Sequence, residues 1–236
     1  MRETGVERLQ SIELHLNRQD YIVMRYLIAD LKNAIQNYSA GSVLDIGCGN
    51  KPYQNLFSNR ITSYTGCDVV QSSLNCVDVI CPSTALAFND ESFDTVFTTQ
   101  VIEHVEDPFK MIAEAKRVLK SNGVIILSAP FTWELHEEPY DFYRYTKYGL
   151  EHMLKEAGFS VVQIKANGGK WAALVQMNIN IIYSSFNQKG IFNKILKGLF
   201  INLRFTSLLN RLGRWLDTKY HDELLTLNYV VVARKN

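Results

Sequence analysis

Two stretches of this chain carry residue types that do chemistry only in particular arrangements. The first is Val43-Leu-Asp-Ile-Gly-Cys-Gly-Asn50, an apolar run entering a turn with glycines at 47 and 49. Without Cβ atoms, Gly47 and Gly49 let the backbone approach a ligand, while Asp45 can orient the turn and reach a cationic amine. A glycine pair alone describes any tight strand-to-helix turn. Asp68 adds information, because it ends the next apolar run, Tyr64-Thr-Gly-Cys-Asp68, where a carboxylate can accept both hydroxyls of a ribose. Turn and acid together suit a nucleoside-bearing ligand. A dinucleotide fits poorly, since the third glycine of a GxGxxG turn falls at Pro52.

The second stretch, Trp133-Glu-Leu-His-Glu-Glu-Pro-Tyr-Asp-Phe-Tyr-Arg-Tyr-Thr146, gathers aromatic rings, carboxylates, His136 and Arg144 in one expected loop. Loops that hold so many costly groups often bind ligands. His136 is the best candidate for a general base, because histidine is the residue type that exchanges protons near neutral pH, and His104 is the second. Tyr140, Asp141 and Arg144 are expected to face a substrate. Arg144 has two readings, a pair with an acidic substrate group or an internal pair with Glu137 or Asp141.

An alternation of short apolar runs with helical periods positions these groups. Val43–Ile46, Tyr64–Val69, Val77–Ile80, Asp94–Thr98, Val124–Ser128, Val161–Lys165 and Leu227–Ala233 read as strands. Seven strands separated by helices predict an α/β, Rossmann-like, doubly wound and mostly parallel sheet. In that topology ligands lie at the carboxyl ends of the strands. Gln100, Glu103 and His104 after the fourth strand, and 130–144 after the fifth, should therefore rim a pocket, although Glu103 and His104 also suit a role in steadying a helix start. Asp107 and Pro108 should open the next helix and Asn122-Gly123 close it, while a further helix should run from Thr146 to Gly158. The last strand is expected to end the sheet beside the sixth. Before the first strand, apolar positions from Leu9 to Ile35 repeat near 3.6 and predict one or two amphipathic helices in a segment spanning 1–40.

Composition narrows the classes. With 25 Lys and Arg against 24 Asp and Glu, no global field favours nucleic acid. Cys48, Cys67, Cys76 and Cys81 lack CxxC spacing and histidines at ligand distance in sequence, so they read as reduced thiols, with no metal site expected. The charged start MRETGVERLQ is not a secretory signal, which makes a cytoplasmic location the expectation.

These motifs resemble, in order over about 41–165, the class I S-adenosylmethionine (SAM) dependent methyltransferases, specifically the methyltransferase type 11 group. The glycine turn looks like the family's first motif and Asp68 like its ribose acid. Phe88-Asn-Asp-Glu-Ser-Phe-Asp94, Gln100-Val-Ile-Glu-His-Val-Glu-Asp-Pro108, Arg117-Val-Leu-Lys-Ser-Asn-Gly123 and Ser128-Ala-Pro130 continue the series. Pro82 stands where the family often has the acid that meets the adenine amine, which implies recognition through backbone groups near Ser83. Gln100 joins the cofactor residues on the same resemblance. The aromatic stretch is similar to a His-Glu-x-Pro-Tyr-Asp-Phe-x-Arg-Tyr-Thr signature of bacterial members, several of them associated with surface glycans.

The resemblance implies a methyltransferase domain over 41–236 with a helical insertion at 171–220, SAM as cofactor, and a small-molecule or glycan acceptor methylated on oxygen. Thr98-Thr-Gln-Val101 replaces the Asn/Asp-Pro-Pro-aromatic motif of many amino methyltransferases. A non-catalytic SAM-binding or scaffolding module of the same fold is the alternative. Within the insertion, Trp171–Phe186 is apolar but too short to span a bilayer. Residues 187–219 combine an apolar stripe with Lys194, Lys197, Arg204, Arg211 and Arg214. They suit a cover packed on the domain, also at a homodimer seam, or an interfacial helix meeting anionic lipid as a peripheral membrane contact. The return to the sheet favours the packed cover.

Overall fold

A computed structural model describes residues 9–57, 60–186 and 190–236. Helix α1 (Tyr21–Tyr38) precedes β1 (Gly41–Ile46), β2 (Ile61–Asp68), β3 (Val79–Ile80) and β4 (Phe93–Thr99). Then follow α2 (Pro108–Val118), β5 (Leu119–Pro130), α3 (Lys147–Glu156), β6 (Phe159–Asn167), α4 (Lys170–Phe186), α5 (Ile191–Asn202), α6 (Phe205–Lys219) and β7 (Asn228–Lys235). The chain divides into two compact units, one built chiefly from Asp30–Lys165 and Tyr229–Asn236, the other from Glu13–Ala29 and Ala166–Asn228.

The first unit contains most of a seven-stranded sheet in the order β3-β2-β1-β4-β5-β7-β6. Strand β1 lies parallel to both β2 and β4, and β4 to β5. The sheet is thus the Rossmann-like, mostly parallel one the alternation predicts. Its central strands are apolar on both faces, as Val43, Leu44, Val96, Phe97, Ile125 and Ile126 are all fully buried. At roughly 25 cal/mol per Å² of apolar surface removed from water, such strands add substantially to the burial energy of the fold.

Local details depart from the sequence reading in three places. Asp107 caps α2 by accepting from the Lys110 amide (3.0 Å), with Pro108 in its first turn, but the helix ends at Val118 and not at Asn122-Gly123. Those two residues lie inside β5, where the register against β4 shifts between Phe93 and Thr95 and Asn122 takes a positive φ of 63°. The irregularity uses the same residue types as a helix stop, which is why the pattern misleads. The last strand does lie beside the sixth, but it also lies beside β5, so β6 forms the edge. Six consecutive buried residues in β7, against a broken pattern in β6, are what an inner strand requires. Finally, Leu9–Asp20 is irregular and only Tyr21–Tyr38 is helical; the first eight residues of the expected helical segment lie outside the described residues.

In the second unit, Gln176 in the apolar Trp171–Phe186 run is internally satisfied. Gln176 donates to the Gln19 carbonyl (2.9 Å) and to Asn180 (3.0 Å) and accepts from the Val23 amide (3.3 Å). Buried Asp217 accepts from the Gly169 and Ala172 amides at the start of α4. Helix α6 buries Thr206, Asn210, Gly213 and Asp217, its small and polar face. Leu208, Leu212 and Trp215 are exposed, as are Ile195 and Leu199 on α5. The apolar stripe is therefore exposed. Gly213 explains the choice of face, since a Cβ there would meet Ile22 and Val175 at 2.8–3.0 Å and only small residues allow that approach. No described helix is long and apolar enough to cross a membrane.

Candidate functional site

The glycine turn leaves the carboxyl end of β1. Gly47 and Gly49 take φ values of 73° and 49°, left-handed conformations that glycine adopts without a Cβ penalty. A Cβ on Gly47 would stand 2.4 Å from a methyl of Val101, so the turn is also closed against the segment after β4. The Gly47 and Cys48 amides donate to the Cys67 carbonyl (2.8 and 3.1 Å), fastening the turn to β2.

Asp68, buried at the end of β2, accepts from the Gly49 amide (3.2 Å) and the Val69 amide (2.7 Å). These bonds hold its carboxylate at the mouth of the turn. Asp45, buried at the end of β1, accepts from the Tyr64 hydroxyl at 2.6 Å. Burial pushes its carboxyl up to about 7, with the Tyr64 hydrogen bond opposing and the nearby Asp68 charge adding to the rise. Tyr64 stands on the same face of β2 as Asp68; strand alternation carries that signal, but nothing in the sequence pairs it with Asp45. Ser83 is half-buried in the turn after β3, and the Cys81 amide donates to the Asp68 carbonyl (3.0 Å), drawing that turn to the end of β2. Gln100 adopts a positive φ of 54° and donates through its backbone and side chain to Ser128 on β5 (3.2 and 3.0 Å).

A second cluster lies at the carboxyl ends of β4 and β5. A single 3-10 turn, Ile102–His104, carries Glu103 and His104, both buried. His104 Nδ1 lies 2.8 Å from the Tyr140 carbonyl, and the His104 and His136 rings meet edge to face at 4.7 Å. His136 places its Nδ1 3.2 Å from Asp141, whose carboxylate also accepts from the His136 amide (2.9 Å). Arg144 grips Asp141 through two hydrogen bonds (2.6 and 2.7 Å) and donates as well to the carbonyls of Trp133, Glu134 and Tyr143. Of the two readings of Arg144, the structure therefore has the internal pair, with Asp141. That pairing holds the Asp141 carboxyl down at about 2. The loop is tied to the turn by the Phe142 and Tyr143 amides, which donate to the Glu103 carbonyl, and by the Tyr145 hydroxyl on the Ile102 carbonyl.

Glu103 is the exception in this network. It is fully inaccessible, yet neither carboxylate oxygen has a hydrogen-bond partner of normal geometry. Burial pushes its carboxyl up to about 8; its own amide and the positive charge of Arg144 offset only part of the cost. Ligating atoms of Glu103, His104 and His136 lie within 4.8 Å of one another. The sequence reading placed all three at a pocket rim without joining them, because 103 and 136 meet only through folding.

A model of a methyltransferase domain matches residues 44–127. A protein of Methanocaldococcus jannaschii, itself uncharacterized, is 30% identical over 162 residues, covering 61% of this chain and 76% of that one. A ubiquinone biosynthesis O-methyltransferase of Rickettsia typhi is 26% identical over 124 residues, 48% of this chain and 50% of the relative. The chain thus spans about half the length of that O-methyltransferase. Among solved structures, a SAM-dependent methyltransferase of Archaeoglobus fulgidus superposes with a TM-score of 0.57 at 16% identity, covering 89% of this chain and 94% of the other. That likeness concerns the fold.

Proposed function

Because the chain belongs to the class I SAM-dependent methyltransferases, with SAM as cofactor, we propose that it methylates an oxygen of a small molecule or glycan. The observation that carries this reading is the histidine pair, His136 against His104, at the strand ends of the same sheet that bears the glycine turn. The O-methyltransferase relative supports oxygen as the attacked atom.

The turn fits SAM: two glycines leave room for the backbone to approach a ligand, Asp68 offers a held carboxylate for ribose hydroxyls, and buried Asp45 a carboxylate for a cationic amine. Ser83 and Gln100 complete the set of contacts. When bound, SAM supplies an electrophilic methyl. The chain's own task is then to orient an acceptor hydroxyl and take its proton, a step we assign to His136. Asp141, held by Arg144, keeps the ring oriented, so Asp141 and Arg144 act through His136 while Tyr140 and Glu103 shape the acceptor side. Incubation with methyl-labelled SAM and fractionated lysate tests this. A labelled methyl ether is expected; label on nitrogen or carbon would contradict the assignment, and SAM binding without transfer to any fraction would favour a scaffolding module.

We further propose a cytoplasmic chain that meets anionic lipid through α5 and α6. The exposed Ile195, Leu199, Leu208, Leu212 and Trp215, interleaved with Lys194, Arg204 and Arg211, support a membrane face over a packed cover. Salt-sensitive flotation with anionic vesicles, lost in Lys194→Glu/Lys197→Glu/Arg211→Glu, is the expected result. No flotation at low salt, with a dimer in solution, would assign the stripe to a homodimer seam instead.

A further inference from the structure

We propose that Glu103, His104 and His136 form a binding site for one divalent first-row transition-metal ion, with open coordination positions toward the acceptor. Three observations converge. The candidate donor atoms lie within 4.8 Å of one another, and His104 Nε2 stands 3.8 Å from Glu103 Oε1. Metal–ligand bonds near 2.1 Å put neighbouring donors roughly 3 Å apart, so a modest closing of the three side chains completes the set.

The second observation is the carboxylate itself. An inaccessible Glu103 with two unanswered oxygens is a costly arrangement, in contrast to the neighbouring Asp141, which is paired with Arg144. Arg144, whose charge acts on it, is committed to Asp141 and to three backbone carbonyls. A cation held between Glu103 and the imidazoles would answer those oxygens.

The third is the surroundings of the histidines. A ligating imidazole donates its other ring N–H to a carbonyl or carboxylate, which sets its tautomer and aim. His104 has Nδ1 at 2.8 Å from the Tyr140 carbonyl, and His136 has Nδ1 at 3.3 Å from the Glu134 carbonyl and 3.2 Å from Asp141. These contacts place the proton on Nδ1 and the lone pair on Nε2. Asp141 is in turn held by Arg144, so the outer contacts are themselves supported.

Two imidazoles and one carboxylate suit zinc, iron, cobalt or nickel better than magnesium or calcium, which prefer oxygen donors throughout. Three protein ligands leave room for an oxygen of the acceptor, and a hydroxyl bound to such an ion is far more acidic than a free one and can lose its proton to solvent, so in the metal-loaded chain His136 would serve as a ligand in place of its role as the base. This role rests on the O-methylation reading; the site itself does not. The absence of metal expected from the cysteines overlooked it because the ligands come from two segments with no spacing signature.

The test is titration of the metal-stripped full chain with Zn²⁺ by equilibrium dialysis and with Co²⁺ by visible absorption. One ion per chain is expected, with at least roughly tenfold weaker binding in Glu103→Gln and in His136→Ala, each first shown to bind SAM as the parent does. Should Glu103→Gln fail to fold, His136→Ala carries the comparison, since its ring is partly exposed at the surface. Absence of saturable binding, or equal binding by the parent and the folded variants, overturns the proposal. Metal binding without transfer to oxygen would leave the site standing and remove the acceptor reading, whereas oxygen methylation undiminished by metal stripping would remove the metal's role in catalysis.

Discussion

In the glycine turn, polar groups answer one another across two adjacent strands. Asp68 takes two amides close to it in the fold, and Asp45 takes the Tyr64 hydroxyl. Around Glu103 the groups come from a 3-10 turn and from a loop some thirty residues on, and the most deeply buried carboxylate has no hydrogen-bond partner. The first region is complete as folded. The second is an assembly whose parts are oriented but whose central acid is unanswered. The contrast fits the proposed division of work, in which the turn binds SAM and the histidine cluster handles the acceptor and its proton.

Substitutions should separate the two regions. The largest effect is expected for His136→Ala, which should lower turnover by roughly 10²–10⁴-fold, as loss of a general base does. Steady-state rates with the identified acceptor check this; retained turnover in His136→Ala together with loss in His104→Ala would exchange their roles. Next is Arg144→Met, which strands the buried Asp141 carboxylate and should cost about 2–3 kcal/mol. Thermal unfolding should fall by roughly 4–12 °C. An unchanged melting temperature would mean the aromatic loop does not depend on its internal clamp.

The smallest effect is one of pH on the turn. Burial raises the Asp45 carboxyl to about 7, above its unfolded value of about 3.9. The stability this contributes is therefore full below about pH 4 and is lost as pH rises towards 7. A cationic amine favours the charged form, so SAM affinity should climb up to about tenfold per pH unit below 7 and level off above it. Calorimetry from pH 5.5 to 8 reads the slope, which Asp45→Asn should abolish; a flat profile in the parent would sever Asp45 from the amine.

The same contrast explains what the sequence made legible. The sheet and the turn were readable because Val43–Asn50 and Tyr64–Asp68 encode them locally, through apolar runs, glycines and terminal acids. The inner position of β7 was not, since the order of strands in a sheet depends on packing between distant elements. The bulge at Asn122-Gly123 was misread because bulges and helix stops use the same residues. Glu103, His104 and His136 each stood out by type, but their meeting depends on how the 131–146 loop folds back over the 102–104 turn, which no spacing records. For the stripe on α5 and α6, periodicity locates an apolar face without saying what covers it.

The most direct test of the division of work is a single calorimetric series of SAM into the parent chain, Asp68→Ala and His136→Ala. The account predicts one site per chain, weakened by about 1–3 kcal/mol in Asp68→Ala, where the ribose hydroxyls lose a charged acceptor, and unchanged in His136→Ala. Equal affinity in the parent and a folded Asp68→Ala, or binding lost with His136, would contradict it.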